Sequence, residues 1–297
     1  MARKNLDLTK GPFLKKIILF SVPIMISGLL QLLFTAADTV VVGQFSADGD
    51  FAVSAIGSTG ALINSLVSLA IGMSNGAGVI VAQNVGAKNS EGVKKTVHTS
   101  MLLSLICGVF VGLLGFVLAP SLLKLMDTPS EVLPLSTIYL RIYFAGLPVM
   151  MVYNFGSSIL RAIGDTTTPL IFLGASGVLN VGLNIVFVAV FHMSVAGVAL
   201  ATVISQAASA LLVVIYMLRQ KNDVKLIFKQ LKINMKAVMQ ILYIGIPAGL
   251  QGMIFSISNV ILQSTINTFG PLAMSGSAAA SSVAGFIYIP MNSIHHA

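Results

Sequence analysis

The chain has 297 residues, of which 56% are hydrophobic and only 9% are charged, and its mean hydropathy is +0.94. A soluble domain carries about 25% charged residues, so this chain has too few charges to cover a surface in water. We therefore interpret it as an integral membrane protein. Its single cysteine, Cys107, lies in an apolar run, which excludes a disulfide framework and a cysteine-based zinc site.

Apolar runs that are long enough to cross a bilayer recur along the chain. A bilayer core needs roughly 20 helical residues, and only helices or closed barrels satisfy the backbone polar groups in lipid. These runs are too long for barrel strands, so the sequence predicts an all-α membrane protein. The predicted spans are 17–45, 52–83, 96–119, 133–157, 168–191, 194–218 and 237–266, with an eighth beginning near 272.

The basic residues are distributed unequally between the two sides of these spans. Of the 17, five precede span one, three follow span two, one follows span four and six follow span six; the other side has Lys124 and Arg141. Because Lys and Arg are enriched in cytoplasmic loops, the pattern predicts a multi-pass protein of the cytoplasmic membrane with a cytoplasmic N-terminus. The formal charge of +8 is therefore a topology signal and does not indicate a nucleic-acid partner.

The segment 219–236 is a basic and partly amphipathic connector. We expect it to lie along the cytoplasmic surface of the lipid. His98 and His192 lie near the ends of predicted spans, where an interfacial role is expected for both.

A weak internal repeat follows this connector. The stretches "IILFSVPIMISG" (17–28) and "ILYIGIPAGLQG" (241–252) align at an offset of 224, pairing Pro23 with Pro247 and Gly28 with Gly252. Two parallel repeats of six spans are a common transporter plan. The pattern predicts an N-terminal six-helix lobe (1–218), an inter-lobe connector (219–236) and the truncated start of a C-terminal lobe (237–297).

Four polar residues in the predicted spans form one constellation. Asp38, Asn184 and Thr202 each lie about eight residues from the outer end of a span, which is ~12 Å along a helix. Asn180 lies one turn deeper than Asn184, on the same helix face. Intramembrane carboxylates usually face a cavity, a proton path or a cation, whereas Asn and Thr often only form bonds between helices.

Pro23 and Arg141 lie in the spans as well. Pro23 precedes Asp38 by 15 residues and removes a helix hydrogen bond, so the sequence predicts a gating kink in span one, although packing alone would also explain a proline there. Arg141 lies at a depth similar to that of Asp38. It is predicted to pair with Asp38 or to extend toward the membrane interface, and the interface is favoured.

Five stretches resemble the multidrug and toxic compound extrusion (MATE) family. They are "SVPIMISGLLQLLFTAADTVVVGQF", "AQNVGAK", "YLRIYFAGLP", "LRAIGDTTTP" and "GVALATVISQ", and they follow one another across the chain in the family's order. The resemblance implies a twelve-helix fold of two six-helix lobes around a cavity. It also implies export of small organic cations in exchange for Na⁺ or H⁺, without any other cofactor.

The resemblance also assigns roles to individual residues. Asp38 matches the family's acidic residue of span one in the coupling-ion site, Asn180 its span-five Asn and Thr202 its span-six Thr. Asn184 stands where similar prokaryotic members often carry a second carboxylate, and "GLQGMIFSISN" (249–259) lacks the Glu of another branch. Asp38 is thus the only carboxylate predicted inside the membrane, and Na⁺ at Asp38 is the only metal ion that we predict.

Three alternatives remain open at this stage. A lipid or oligosaccharide flippase of the same superfamily would line its cavity with several basic residues, whereas this sequence offers at most Arg141. A non-transporting scaffold would not need an intramembrane Asp with partners at its own depth. An enzyme is disfavoured because no set of catalytic residues is present. We expect a monomer in the bilayer when the protein is full length.

Overall fold

The computed structural model describes residues 13–46, 49–126, 128, 130–267, 288, 291 and 293. Seven long helices follow one another along the chain, and the described residues contain no strand. Helix α5 continues into a π-helix over Ile185–Val190, and a short 3₁₀ turn covers Phe228–Gln230. The seven helices are α1 (Phe13–Phe45), α2 (Gly49–Gly86), α3 (Ser90–Leu125), α4 (Leu133–Ala162), α5 (Thr167–Asn184), α6 (Ser194–Arg219) and α7 (Met235–Asn267).

All seven helices are long and apolar enough to cross a membrane, which confirms the all-α prediction and the first seven predicted spans. The eighth span, predicted to begin near 272, lies outside the described residues. Several helices are longer than predicted. The third predicted span covers residues 96–119, but the helix, α3, runs from Ser90 to Leu125. Hydropathy measures only the part in lipid, whereas the Asn89 side chain, which accepts the Gly92 N–H at 3.0 Å, determines where α3 begins.

Helix α2 occupies the middle of the bundle and packs against α3, α4 and α7, while α4 also contacts α6, and α5 contacts α1 and α6. The contact between α2 and α7 is made by backbone. A Cβ atom on Gly72 would lie 2.3 Å from the Gly249 nitrogen, and one on Gly76 would lie 2.6 Å from the Ile241 oxygen. Small residues are typical of such close helix contacts in membranes, and here they join α7 firmly to the first six helices.

The connector is partly buried against the helices, which the sequence did not predict, while its place along the lipid surface stays a prediction. Val224 and Leu226 are only 1% and 2% exposed, and they belong to an apolar cluster with the ends of α2, α3, α4 and α6. Phe228 and Ile233 are 61% and 50% exposed and the lysines are exposed too, whereas Val224 and Leu226 pack against the helix ends. The reason is that an irregular backbone needs hydrogen-bond partners, and the helix ends supply them.

His98 helps to attach the connector, a contact that sequence reasoning missed, and its interfacial role stays a prediction. It is 3% exposed, and its Nε2 accepts the Ile227 N–H at 3.1 Å. Nδ1 therefore carries the ring proton and donates it to the Lys94 carbonyl at 2.7 Å. Thr99 donates to the Lys232 carbonyl and accepts the Asn234 N–H, both at 3.2 Å. The connector is thus attached to one turn of α3.

Candidate ion-binding site

A cavity of about 330 Å³ lies between α1, α2, α4, α5 and α6. Its lining combines apolar groups such as Phe34, Ile63 and Leu147 with hydroxyl, amide and carboxyl groups. Asp38 is the only charged residue among the described residues that line it. The other polar residues of the lining include Gln31, Thr35, Asn64, Asn154, Asn180, Thr202 and Gln206.

The four predicted site residues form one chain of hydrogen bonds, and three of them, Asp38, Asn180 and Thr202, line this cavity. The Asn184 amide nitrogen donates to the Asp38 carboxylate and also lies 3.3 Å from the Asn180 amide oxygen. The Asn180 amide nitrogen donates to the Thr202 hydroxyl at 3.4 Å. The chain thus joins α1, α5 and α6. The structure brings together the residues that equal depth predicted, while their role in holding an ion stays a prediction.

The outer ends of two of these helices are tied together. The Ser46 hydroxyl, just beyond α1, donates to the hydroxyl of Ser194, the first residue of α6, at 2.9 Å. Asp38 and Thr202 each lie eight residues from these serines, so the tie brings them to one level. This contact explains why counting residues from helix ends located the site.

An unpartnered oxygen lies within the site. Asn184 is fully buried, and its amide oxygen has no hydrogen-bond partner among the described residues. Leaving such a group unpaired costs roughly 1–3 kcal/mol. The site therefore offers a carboxylate, a hydroxyl and amide oxygens, one of them unsatisfied, which are the ligand types that hard cations prefer.

The π-helix begins directly after Asn184. Within it the Phe191 N–H donates to the Val186 carbonyl at 3.0 Å, five residues earlier. Single π-turns inside helices occur frequently at functional sites. Sequence reasoning missed this one, because "IVFVAV" (185–190) carries no Gly, Pro or polar residue that would signal it.

Two aromatic residues of the cavity were also missed. Tyr139 and Tyr143 line it from α4, with their rings stacked at a centroid distance of 6.4 Å. The signal was present in "YLRIY" (139–143), since residues four apart share a helix face. A pair of aromatic rings beside a carboxylate is suited to an organic cation.

Arg141 and Pro23 lie away from the carboxylate. Arg141 is exposed, its guanidinium carbon is 5.3 Å from the centroid of the Phe116 ring, and no ion pair between described residues includes Asp38. Arg141 is therefore not paired with Asp38 among the described residues, while its extension toward the interface stays a prediction. Pro23 lies within α1, which continues through it, and its carbonyl accepts the Ser27 hydroxyl at 2.8 Å. Its role as a gating kink stays a prediction.

Comparison with known proteins finds a matching family model and several similar proteins. The family model described as MatE matches residues 23–186. The chain is 33% identical over 287 residues to "Probable multidrug resistance protein YpnP" of Bacillus subtilis, covering 97% of this chain and 64% of that protein. It is 28% identical over 265 residues to "Multidrug export protein MepA" of Staphylococcus aureus, covering 89% of this chain and 58% of that protein.

Solved structures share the fold. A crystal structure described as MATE in the bent conformation superposes with a TM-score of 0.89 at 25% identity, covering all of this chain and 66% of the other. The chain thus spans less than two thirds of the length of each protein compared.

Proposed function

The chain belongs to the MatE family of multi-pass membrane transporters, and we propose that the protein exports organic cations or drugs in exchange for Na⁺ or H⁺. The observation that carries the proposal is the chain of hydrogen bonds from Asp38 through Asn184 to Asn180 and Thr202 at the edge of a cavity. The names of the similar proteins, which refer to multidrug resistance and multidrug export, support the drug-efflux part.

The coupling ion binds between Asp38 and the amide of Asn184. Without a cation the amide nitrogen donates to the carboxylate, and the amide oxygen is left unpaired. A half-turn of this amide presents its oxygen instead. With Na⁺, that oxygen joins the Asp38 carboxylate, the Thr202 hydroxyl and the Asn180 oxygen as a ligand. With H⁺, the protonated carboxyl donates to it. Either ion satisfies the buried oxygen.

Ion binding is linked to movement of α1. Asp38 and Pro23 lie 15 residues apart on this helix, and Asp38 is hydrogen-bonded to α5. An ion held jointly by α1, α5 and α6 fixes the outer part of α1, while the proline allows the rest to bend. An antiporter needs such a link, since the ion must favour one of two conformations.

The cavity favours a cationic substrate over an anionic lipid headgroup. No Lys or Arg is among the described residues that line it, whereas Asp38, Tyr139 and Tyr143 offer a carboxylate and two aromatic rings. A flippase for anionic lipids or oligosaccharides would need the opposite charge. A purely structural role would leave both the cavity and the unpaired Asn184 oxygen without a purpose.

We assign the protein to the cytoplasmic membrane, with its N-terminus and the connector in the cytoplasm, as a monomer when full length. Residues 1–218 form the first lobe, 219–236 the connector and 237–297 the opening of the second lobe. Single cysteines at the exposed positions Lys124 and Asn222 test the orientation. An impermeant maleimide applied to intact cells is expected to label position 124 only, and external labelling at position 222 would refute the topology.

Efflux of a cationic dye from vesicles that contain the full-length protein tests the function. The dye is loaded inside, and a Na⁺ gradient or a proton gradient is imposed separately. We expect one gradient to accelerate efflux. A fluorescent anionic phospholipid in a parallel sample is expected not to cross. Dye flux that ignores both gradients, or crossing of the lipid alone, would contradict the proposal.

A further inference from the structure

A second cavity lies on the outside of the bundle, distinct from the one that contains Asp38. It is a groove of about 430 Å³ between α3, α4 and α6. Its walls are apolar except for one side chain, that of Arg141 on α4. The residues that line it are Phe116, Ile138, Arg141, Ile142, Ala145, Gly146, Leu200 and Val203.

The groove lies in one leaflet of the bilayer, at the face where α3 ends and α4 begins. Arg141 is eight residues from the start of α4 at Leu133, and Phe116 is nine residues from the end of α3 at Leu125. Both therefore lie ~12–14 Å along their helices from this face. Side chains on a helix lean toward its N-terminus, so Arg141 leans toward the lipid headgroups.

The guanidinium group of Arg141 has no carboxylate partner in the part of the chain that the structure describes. The ion pairs between described residues join Lys94 to Asp223 and Lys95 to Glu91, both away from the groove. Its guanidinium carbon lies 5.3 Å from the centroid of the Phe116 ring, which is itself partly exposed. Stacking on a ring occupies the face of a guanidinium and leaves its in-plane N–H donors free. A charge in this position is costly without an anion.

The floor of the groove is closely packed. A Cβ atom on Gly146 would lie 2.4 Å from the Cγ2 atom of Val203, so α4 and α6 are in close contact there. Ala145, next to it, is exposed and leaves room above the floor. The result is an apolar groove with the Arg141 cation at its edge.

We propose that this groove binds one anionic phospholipid. One acyl chain lies against Ile138, Ile142 and Leu200, and the phosphate accepts hydrogen bonds from the free edge of Arg141. The phosphodiester matches the fork of guanidinium donors, and an anionic headgroup lacks the quaternary ammonium group of phosphatidylcholine, which the Arg141 cation would repel, so an anionic phospholipid is favoured. The bound lipid bridges α3, α4 and α6, so it stabilises the packing of α3 on two of the helices that line the Asp38 cavity, α4 and α6.

Lipid retention tests the proposal. The full-length protein is purified from vesicles that contain equal amounts of phosphatidylglycerol and phosphatidylcholine, and the retained lipids are counted by native mass spectrometry. Wild type is expected to retain phosphatidylglycerol over phosphatidylcholine by about tenfold, the ratio typical of one charge-assisted contact. Arg141→Gln is expected to bring the two lipids to parity, and Ala145→Phe, which fills the groove, to reduce both.

The controls separate the possible causes. Lys124→Gln removes an exposed cation at the same membrane face but outside the groove, so it is expected to leave the ratio unchanged. Arg141→Lys keeps the charge but lacks the paired guanidinium donors, so it is expected to give an intermediate ratio. This variant also tests whether Arg141 selects the lipid if Arg141→Gln does not fold. Inorganic phosphate added in excess is expected not to release the lipid. Equal retention of both lipids by wild type, an unchanged ratio in Arg141→Gln, or release by phosphate would overturn the proposal.

Discussion

Two polar networks hold distant parts of this chain together, one inside the membrane and one at its edge. The first joins Asp38 on α1 to Asn184 on α5, which are 146 positions apart. The second joins His98 on α3 to the backbone of Ile227 in the connector, 129 positions away. The difference between them is in the partners. In the first network side chains on helices contact one another, whereas in the second a side chain contacts irregular backbone.

This difference decides what the sequence could predict. A helix rises ~1.5 Å per residue, so counting from the ends of the spans placed Asp38, Asn184 and Thr202 at one depth. No comparable rule places the backbone of a connector, so the burial of Val224 and Leu226 and the role of His98 were missed. The π-helix after Asn184 was missed for the same reason, since an apolar run does not reveal a change in its hydrogen-bond register.

The networks also differ in how completely they are satisfied. His98 uses both ring nitrogens and Thr99 both donates and accepts, as expected of a contact that only holds the structure together. The network at Asp38 leaves the oxygen of Asn184 unpaired. We infer that the network at Asp38 holds an exchangeable ion and that the network at His98 attaches the connector. The following predictions test that distinction.

The largest effect is expected at Asp38. Asp38→Asn removes the charge and keeps the shape, so we expect gradient-driven dye efflux by the full-length protein to be abolished. Folding and the attachment of the connector should be retained, because the substituted amide keeps an oxygen that accepts the hydrogen bond from Asn184. Efflux is measured in vesicles and folding by thermal unfolding. Efflux at the wild-type rate would return Asp38 to a structural role.

His98→Ala is expected to have the opposite profile. It leaves the Ile227 N–H without its partner, which costs about 1–3 kcal/mol and releases the connector. The measurement is the rate of tryptic cleavage after Lys225, which should rise while ion binding is retained. His98→Gln keeps an oxygen acceptor and serves as the conservative control. An unchanged cleavage rate in His98→Ala would show that the connector is held by other contacts.

Substitutions of Asn184 test how much one neutral ligand contributes to ion binding in the network at Asp38. Asn184→Ala removes one neutral ligand, so the apparent affinity for the coupling ion is expected to fall by about tenfold. Asn184→Asp supplies a second carboxylate and is expected to raise the affinity or change the ion preference. The control is Asn154→Ala, which alters a cavity residue whose bond within the described residues is to its own helix, at the Met150 carbonyl. The measurement is efflux rate against Na⁺ concentration and pH, and equal effects of the two alanines would contradict the assignment.

The smallest effect is expected at the ion pair between Lys94 and Asp223. Their side chains are 54% and 46% exposed and lie 3.4 Å apart, so Lys94→Gln should lower the free energy of unfolding by less than about 1 kcal/mol. Hydrogen bonds from Ser90 and Lys94 lower the pKa of the Asp223 carboxyl. The contribution is therefore present at neutral pH and lost as the pH falls through that lowered value. Thermal unfolding at low and high salt checks it, and an effect that salt does not reduce would argue against a surface ion pair.

The most direct test of an exchangeable ion at Asp38 is the release of that ion when substrate binds. Purified full-length protein is placed in a weakly buffered solution, a cationic dye is added, and released Na⁺ and H⁺ are measured together with a Na⁺ electrode and a pH indicator. We expect the wild-type protein to release one of the two ions as the dye binds, and Asp38→Asn to release neither. Equal release by the two proteins would contradict the assignment of the coupling ion to Asp38.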